Sequence, residues 1–144
     1  MNAPVAVVTG ANSGIGRAAA LYLAGKGMRV FGTVREVSKA TKLLAAAEDA
    51  GVTVELAELD VADDDSVKQG FAEILKRAGG VDLLVNNAGI LRAGPLATLT
   101  EAEWHGLMNV NLTGYLLCSQ AFGAGMLERG RGALIHIASI AATN

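Results

Sequence analysis

A single cysteine, Cys118, rules out an internal disulfide in this 144-residue chain. Its place in a predicted helix reads as a small core residue, not a nucleophile. An excess of one charge sign is lacking too. The 12 Lys and Arg against 14 Asp and Glu leave a formal net charge of -2, and the cations are scattered with no interleaved aromatics, which excludes a nucleic-acid footprint. No apolar run approaches the roughly 20 residues that a membrane span needs. Met1-Asn2-Ala3-Pro4 has no basic stretch and leads straight into a strand, so no targeting segment is read and cytoplasm is the expected compartment. His105 and His136 have no third ligand at metal spacing, so no metal site is expected. What the chain does have is 51% hydrophobic residues, enough for one domain with a real core.

The chain is organised around Thr9-Gly10-Ala11-Asn12-Ser13-Gly14-Ile15-Gly16, which follows the apolar run Val5–Val8 and opens an Ala/Leu-rich run ending near Lys26. This reads as strand, glycine turn and helix. Glycines at this spacing allow a sharp turn, a close approach of ligand to main-chain N–H groups, and a helix start tight against the strand. A helix start with free N–H groups binds phosphate.

Further along, Arg29–Val34 reads as a second strand with Arg35 just past its end. Ser38 is expected to cap a helix running through Leu43, Leu44 and Ala47 to Ala50. Val52–Leu59 reads as a third strand, and Asp63-Asp64-Asp65-Ser66 starts a third helix, where acids suit the dipole. Val81–Asn86 is apolar on both faces, as in the middle of a parallel sheet. Thr100 and Glu103 form a capping box for one long helix, expected to fray near Gly123 and Gly125. Ala133–Ala138 is a fifth strand. Strands alternating with helices predict an α/β fold, a doubly wound parallel sheet with helices on both faces and ligands beyond the carboxyl ends of its strands.

With Thr9 to Gly16 in place and Asn86-Asn87-Ala88-Gly89 after the fourth strand, nearly the whole chain resembles the short-chain dehydrogenase/reductase family. The glycine spacing is similar to that of its short, roughly 250-residue members. Asp60-Val61, the segment Asn109-Val110-Asn111-Leu112-Thr113-Gly114 and Ser139 add three motifs in the family's order. The resemblance implies that Gly10, Gly14, Ile15 and Gly16, with Asn12 and Ser13 in the same turn, line the adenosine and pyrophosphate path of a dinucleotide. It implies that Asp60 and Val61 contact adenine, and that Asn86, Ala88 and Gly89 lie beside the cofactor ribose while Asn87 ties strand ends together. Val110 falls in the same cofactor-side segment. Asn111 corresponds to a helix-kinking asparagine whose main chain holds a water in a proton relay. Ser139 corresponds to the serine that hydrogen-bonds the substrate carbonyl oxygen.

Charge bears on cofactor choice. NAD-preferring relatives carry an acid at the end of the second strand. Here that position is Val34, with Arg35 next, and an Arg pairs a phosphate bidentately. The expectation is NADP(H), with Arg17 a weaker contact and no second basic group inside the glycine turn. Read without the family, Arg35 is a surface residue beside Glu36.

The family's chemistry moves a hydride between nicotinamide and a carbonyl or alcohol carbon while a tyrosine moves the proton. A phenol, with a pKa of about 10, needs a nearby lysine to do so near neutral pH. The family carries both in a Y-x-x-x-K beyond the serine, and five residues follow Ser139 here. The match Tyr22/Lys26 lies on the first helix and reads as a packing residue and a helix-end charge. The 144 residues are therefore expected to be the truncated amino-terminal part of a dinucleotide-binding domain about a hundred residues longer, with an uncovered apolar edge at Leu134–Ala138. A small carbonyl or alcohol substrate and a homo-oligomer are the expected partners. The alternative is a non-catalytic dinucleotide-binding or regulatory module, and S-adenosylmethionine chemistry is a more remote one.

Overall fold

The computed structural model describes residues 2–139. Its five strands are β1 Val5–Val8, β2 Arg29–Val34, β3 Val54–Glu58, β4 Leu83–Asn86 and β5 Ala133–His136. All pair in parallel, in the order β3-β2-β1-β4-β5. The helices are α1 Gly14–Gly25, α2 Thr41–Asp49, α3 Asp64–Ala78, α4 Glu101–Met108 and α5 Gly114–Glu128.

Strand alternation explains the two-sided core. On β1, Val5 and Val7 face one side, where they join Phe31, Leu84, Ile74 of α3 and Cys118 and Phe122 of α5. Ala6 and Val8 face the other, with Val30, Val54, Val85, Ala20 of α1 and Leu43 of α2. Phe71 and Phe122 meet edge to face, ring centres 5.1 Å apart, joining α3 to α5. With helices on both faces, the sheet is doubly wound.

The helix ends follow local chemistry. Asp63 caps α3 by accepting from the Ser66 N–H at 2.7 Å, with Asp64 and Asp65 in the first turn and Lys76 and Arg77 in the last. Thr100 and Glu103 form the expected reciprocal box at α4. Two expectations need correction. Ser38 does not cap α2. It lies in a 3-10 turn, Val37–Lys39, after which α2 starts at Thr41 without a side-chain cap. That turn is held from elsewhere in the chain, by Asn12 Nδ2 donating to the Lys39 carbonyl at 3.1 Å. Nor does the last helix fray near Gly123 and Gly125. A π turn, Asn109–Thr113, separates α4 from α5, and α5 runs past Gly123 and Gly125 to Glu128 because Phe122, Gly123 and Met126 are buried there.

β5 forms one edge of the sheet. All four of its residues are exposed, and an apolar cleft of about 720 Å³ lies between it and the second half of α5. Among the described residues, no helix is long and apolar enough to cross a membrane.

Candidate functional site

A cleft of about 780 Å³ opens at the carboxyl ends of β1 to β4, lined by Gly10, Asn12 to Ile15, Thr33 to Glu36, Lys39, Leu59 to Ala62, Asn87 to Ile90, Val110 and Ile137. Its floor is a knot of hydrogen bonds between the β1 and β4 ends. The buried Thr9 hydroxyl accepts from the backbone N–H groups of Asn87 at 3.0 Å and Ala88 at 3.1 Å. Asn87 returns its side-chain amide to the carbonyls of Thr9 at 3.1 Å and Gly10 at 3.3 Å. The backbone can close this tightly only through glycine. Gly10 has φ +64°, and a Cβ there would lie 2.9 Å from Ala88 Cα. A Cβ on the buried Gly16 would strike the Gly10 carbonyl oxygen and Asn87 Nδ2, so Gly16 sits beneath the wall and lets α1 start against the turn.

The start of α1 faces this cleft. Ser13 is its N-cap and makes no side-chain capping bond, and no acid stands in the first turn. The first N–H groups and the positive end of the helix dipole are therefore directed at whatever lies in front of Gly14 and Ile15.

One wall is charged. Arg35 and Glu36 follow β2, and Lys39 Nζ pairs with Glu36 Oε1 at 2.7 Å. Lys39 is the residue that sequence reading missed. The helix expected from Ser38 gives it no role, whereas the 3-10 turn Val37–Lys39 brings it to the cleft. Beside it, Asn12 Oδ1 and Thr33 Oγ1 are buried without a hydrogen-bond partner among the described residues. On the opposite wall, Asp60 Oδ1 accepts from the Ala62 N–H at 3.0 Å, and the Asp60 N–H donates to Ser66 Oγ at 2.8 Å. Val61 and Val110 supply apolar surface.

Asn86, Asn111 and Ser139 are not among the residues lining the cleft. Asn86 is fully buried with its side chain turned from the cleft: Nδ2 donates to Ser119 Oγ at 3.1 Å and lies 3.1 Å from His136 Nδ1. Asn86 ends β4 on the face that Leu84 shares, toward α5. The bend expected at Asn111 is the π turn, and it is the Asn111 side chain that is engaged, with both backbone groups of Ile90. Ser139 is exposed beyond β5 and is not on the cleft wall, although Ile137, two residues before it, is. Arg17 is likewise not on the wall.

Cys118 and Tyr115 stand where burial disfavours the charged form of each. Burial pushes the Cys118 thiol up to about 12. Burial also raises the Tyr115 phenol, whose hydroxyl donates to the Ile137 carbonyl at 2.8 Å. Tyr22 and Lys26 make a cation–π contact, Nζ 5.4 Å from the ring centre, at the end of α1 away from the cleft.

The family model for short chain dehydrogenases matches residues 4–144. The 3-oxoacyl-[acyl-carrier-protein] reductase FabG of Vibrio cholerae is 38% identical over 139 residues, 96% of this chain and 56% of the relative. A D-threitol dehydrogenase of Mycolicibacterium smegmatis is 40% identical over 144 residues, 99% of this chain and 55% of the relative. A metagenomic short-chain oxidoreductase solved in complex with NADP superposes with a TM-score of 0.89 at 39% identity, covering 98% of this chain and 64% of that one. The chain thus spans about half the length of the curated relatives it matches. Likeness at this level, from residue 4 to residue 144, shows that the chain belongs to the short-chain dehydrogenase/reductase family.

Proposed function

We propose that the protein is an NADP(H)-dependent oxidoreductase of the cytoplasm, acting between a carbonyl and the corresponding secondary alcohol. The observation that carries this reading is the charge at the end of β2. Where an acid would hold the ribose hydroxyls and repel a 2′-phosphate, Val34 is neutral and Arg35 lines the cleft. The residues present fit a dinucleotide. The wall closes only through Gly10, α1 begins without a side-chain cap, and Asn12 Oδ1 and Thr33 Oγ1 are buried acceptors still lacking a donor among the described residues. The NADP complex of the metagenomic relative supports the same cofactor class.

In this reading the α1 start and the Gly10–Gly16 turn hold the pyrophosphate. Asp60 accepts from the adenine amino group, Val61 and Val110 pack beside the base, Ala88 and Gly89 border the ribose, and Arg35 pairs with the 2′-phosphate. Bound nicotinamide supplies the hydride-transfer chemistry. Ser139, exposed two residues past Ile137 of the cleft wall, donates a hydrogen bond to the substrate oxygen and stabilises the charge that develops there. Asn111 positions the Gly89–Ile90 segment through its side chain. No Y-x-x-x-K follows Ser139 within these 144 residues, so by themselves they bind cofactor without turnover. The bent α4–α5 helix exposes Trp104, Leu112 and Leu116, which supports assembly into a homo-oligomer through that face.

The reading is tested on the full-length natural protein with NADPH and NADH against a panel of ketones and aldehydes. NADPH consumption exceeding NADH consumption is expected, with Arg35→Ala lowering that preference about tenfold. Absence of binding to either dinucleotide would overturn it.

A further inference from the structure

The turn after β2 carries a closed ion pair inside the cleft wall. Lys39 Nζ lies 2.7 Å from Glu36 Oε1, both side chains are more than half exposed, at 70% and 55%, and both residues line the cleft with Arg35. The backbone of this turn is fixed from two sides. Asn12 Nδ2 donates to the Lys39 carbonyl at 3.1 Å, and the Val37 N–H donates to Glu58 Oε2 at 3.4 Å. A flexible four-carbon stem therefore stands on a fixed base, and its ammonium can leave one anion for another without moving the chain.

Resting on the NADP(H) reading, we infer that Lys39 is a second cation for the adenosine 2′-phosphate and that Glu36 is the counterion it exchanges for that phosphate. An exposed carboxylate pair of this type is weak and screened by salt. A phosphate carries nearly two charges and three acceptor oxygens, and between Arg35 and Lys39 it has two cations to share. The exchange therefore runs toward phosphate when NADP(H) enters. With NAD(H) nothing displaces the carboxylate, and Lys39 stays paired to Glu36. Glu36 thus opposes binding of the phosphorylated cofactor while it neutralises Lys39 in its absence, so the two residues shift discrimination in opposite directions.

The test is fluorescence titration of NADPH and of NADH into the full-length protein and three variants, with thermal unfolding to confirm that each is folded. Lys39→Met is expected to weaken NADPH about tenfold and NADH less than about twofold, and Lys39→Arg to keep the wild-type discrimination. Glu36→Gln is expected to tighten NADPH about threefold and leave NADH unchanged. The discrimination should fall with added salt more steeply in the wild type than in Lys39→Met. Lys39→Met moving both cofactors equally, or neither, overturns the inference while NADPH preference in the wild type leaves the cofactor reading intact. A wild type that prefers NADH overturns both, and does so before any variant is examined.

Discussion

The side-chain amide of Asn111 holds both backbone polar groups of Ile90, donating from Nδ2 to the carbonyl at 2.8 Å and accepting at Oδ1 from the N–H at 2.8 Å. Asn111 stands in the π turn that bends α4 into α5, and Ile90 begins the loop at the cleft mouth. One amide satisfies two backbone groups that no strand or helix pairs. Asn111→Leu, similar in volume, removes both bonds at once. Because the region is exposed and water can substitute, a loss of only about 1 kcal/mol is expected in chemical denaturation. Hydrogen exchange at the Ile90 amide should accelerate about tenfold, since the loop opens locally without global unfolding. Unchanged exchange would show that the loop is held by other contacts.

Thr9 occupies the opposite case, fully buried under the cleft floor. Its hydroxyl oxygen accepts from two backbone N–H groups, those of Asn87 and Ala88, at 3.0 and 3.1 Å. Thr9→Val keeps the shape and leaves both donors without a partner, at an expected cost of about 2–4 kcal/mol. Thr9→Ser keeps the oxygen and should lose about 1 kcal/mol for the missing methyl. If Thr9→Val matched Thr9→Ser in urea denaturation, the floor would not depend on these bonds.

These two sites also mark what could be read from the sequence. The strand–turn–helix around Gly10, the Thr100/Glu103 box and the buried place of Cys118 rest on residues a few positions apart, so periodicity and capping chemistry reveal them. The bend at Asn111 comes with the family resemblance, but not the partner of its side chain, Ile90, 21 residues earlier. Lys39 reaches the cleft wall on a turn tied to Asn12, 27 residues earlier, which a local capping rule applied to Ser38 cannot show. Asn86 turns to His136, 50 residues on, across the β4–β5 register. Strand alternation could have put Asn86 on the face of Leu84, but could not name its partner.

The proposed assembly face gives a further expectation. Leu112 and Leu116 are 59% and 55% exposed on the bent helix, an exposure that favours burial against a second copy. The double variant Leu112→Glu/Leu116→Glu places four like charges across a two-fold contact, two from each copy, and should reduce the particle mass by sedimentation to that of a smaller assembly or a monomer. A wild type that sediments as a monomer would refute the assembly proposal directly.

Acid stability should turn on Glu103. Its carboxylate accepts from Arg92 Nε at 2.8 Å and from the Thr100 N–H at 2.8 Å. The Arg92 bond first, then the Thr100 bonds, hold its pKa down to about 2 from the ordinary 4.5. The folded-state value is the depressed one, so between these two values the unfolded chain takes up a proton that the folded chain refuses. The stabilisation is then complete above the ordinary value and is lost as pH falls through the window toward about 2. Glu103→Gln cannot take up that proton. Its unfolding temperature should lie below that of the wild type at neutral pH, and the gap should close as the pH falls through the same window. A gap that stays constant down to the lowest pH would mean that the carboxylate charge contributes nothing, and that any difference between the two proteins comes from packing alone.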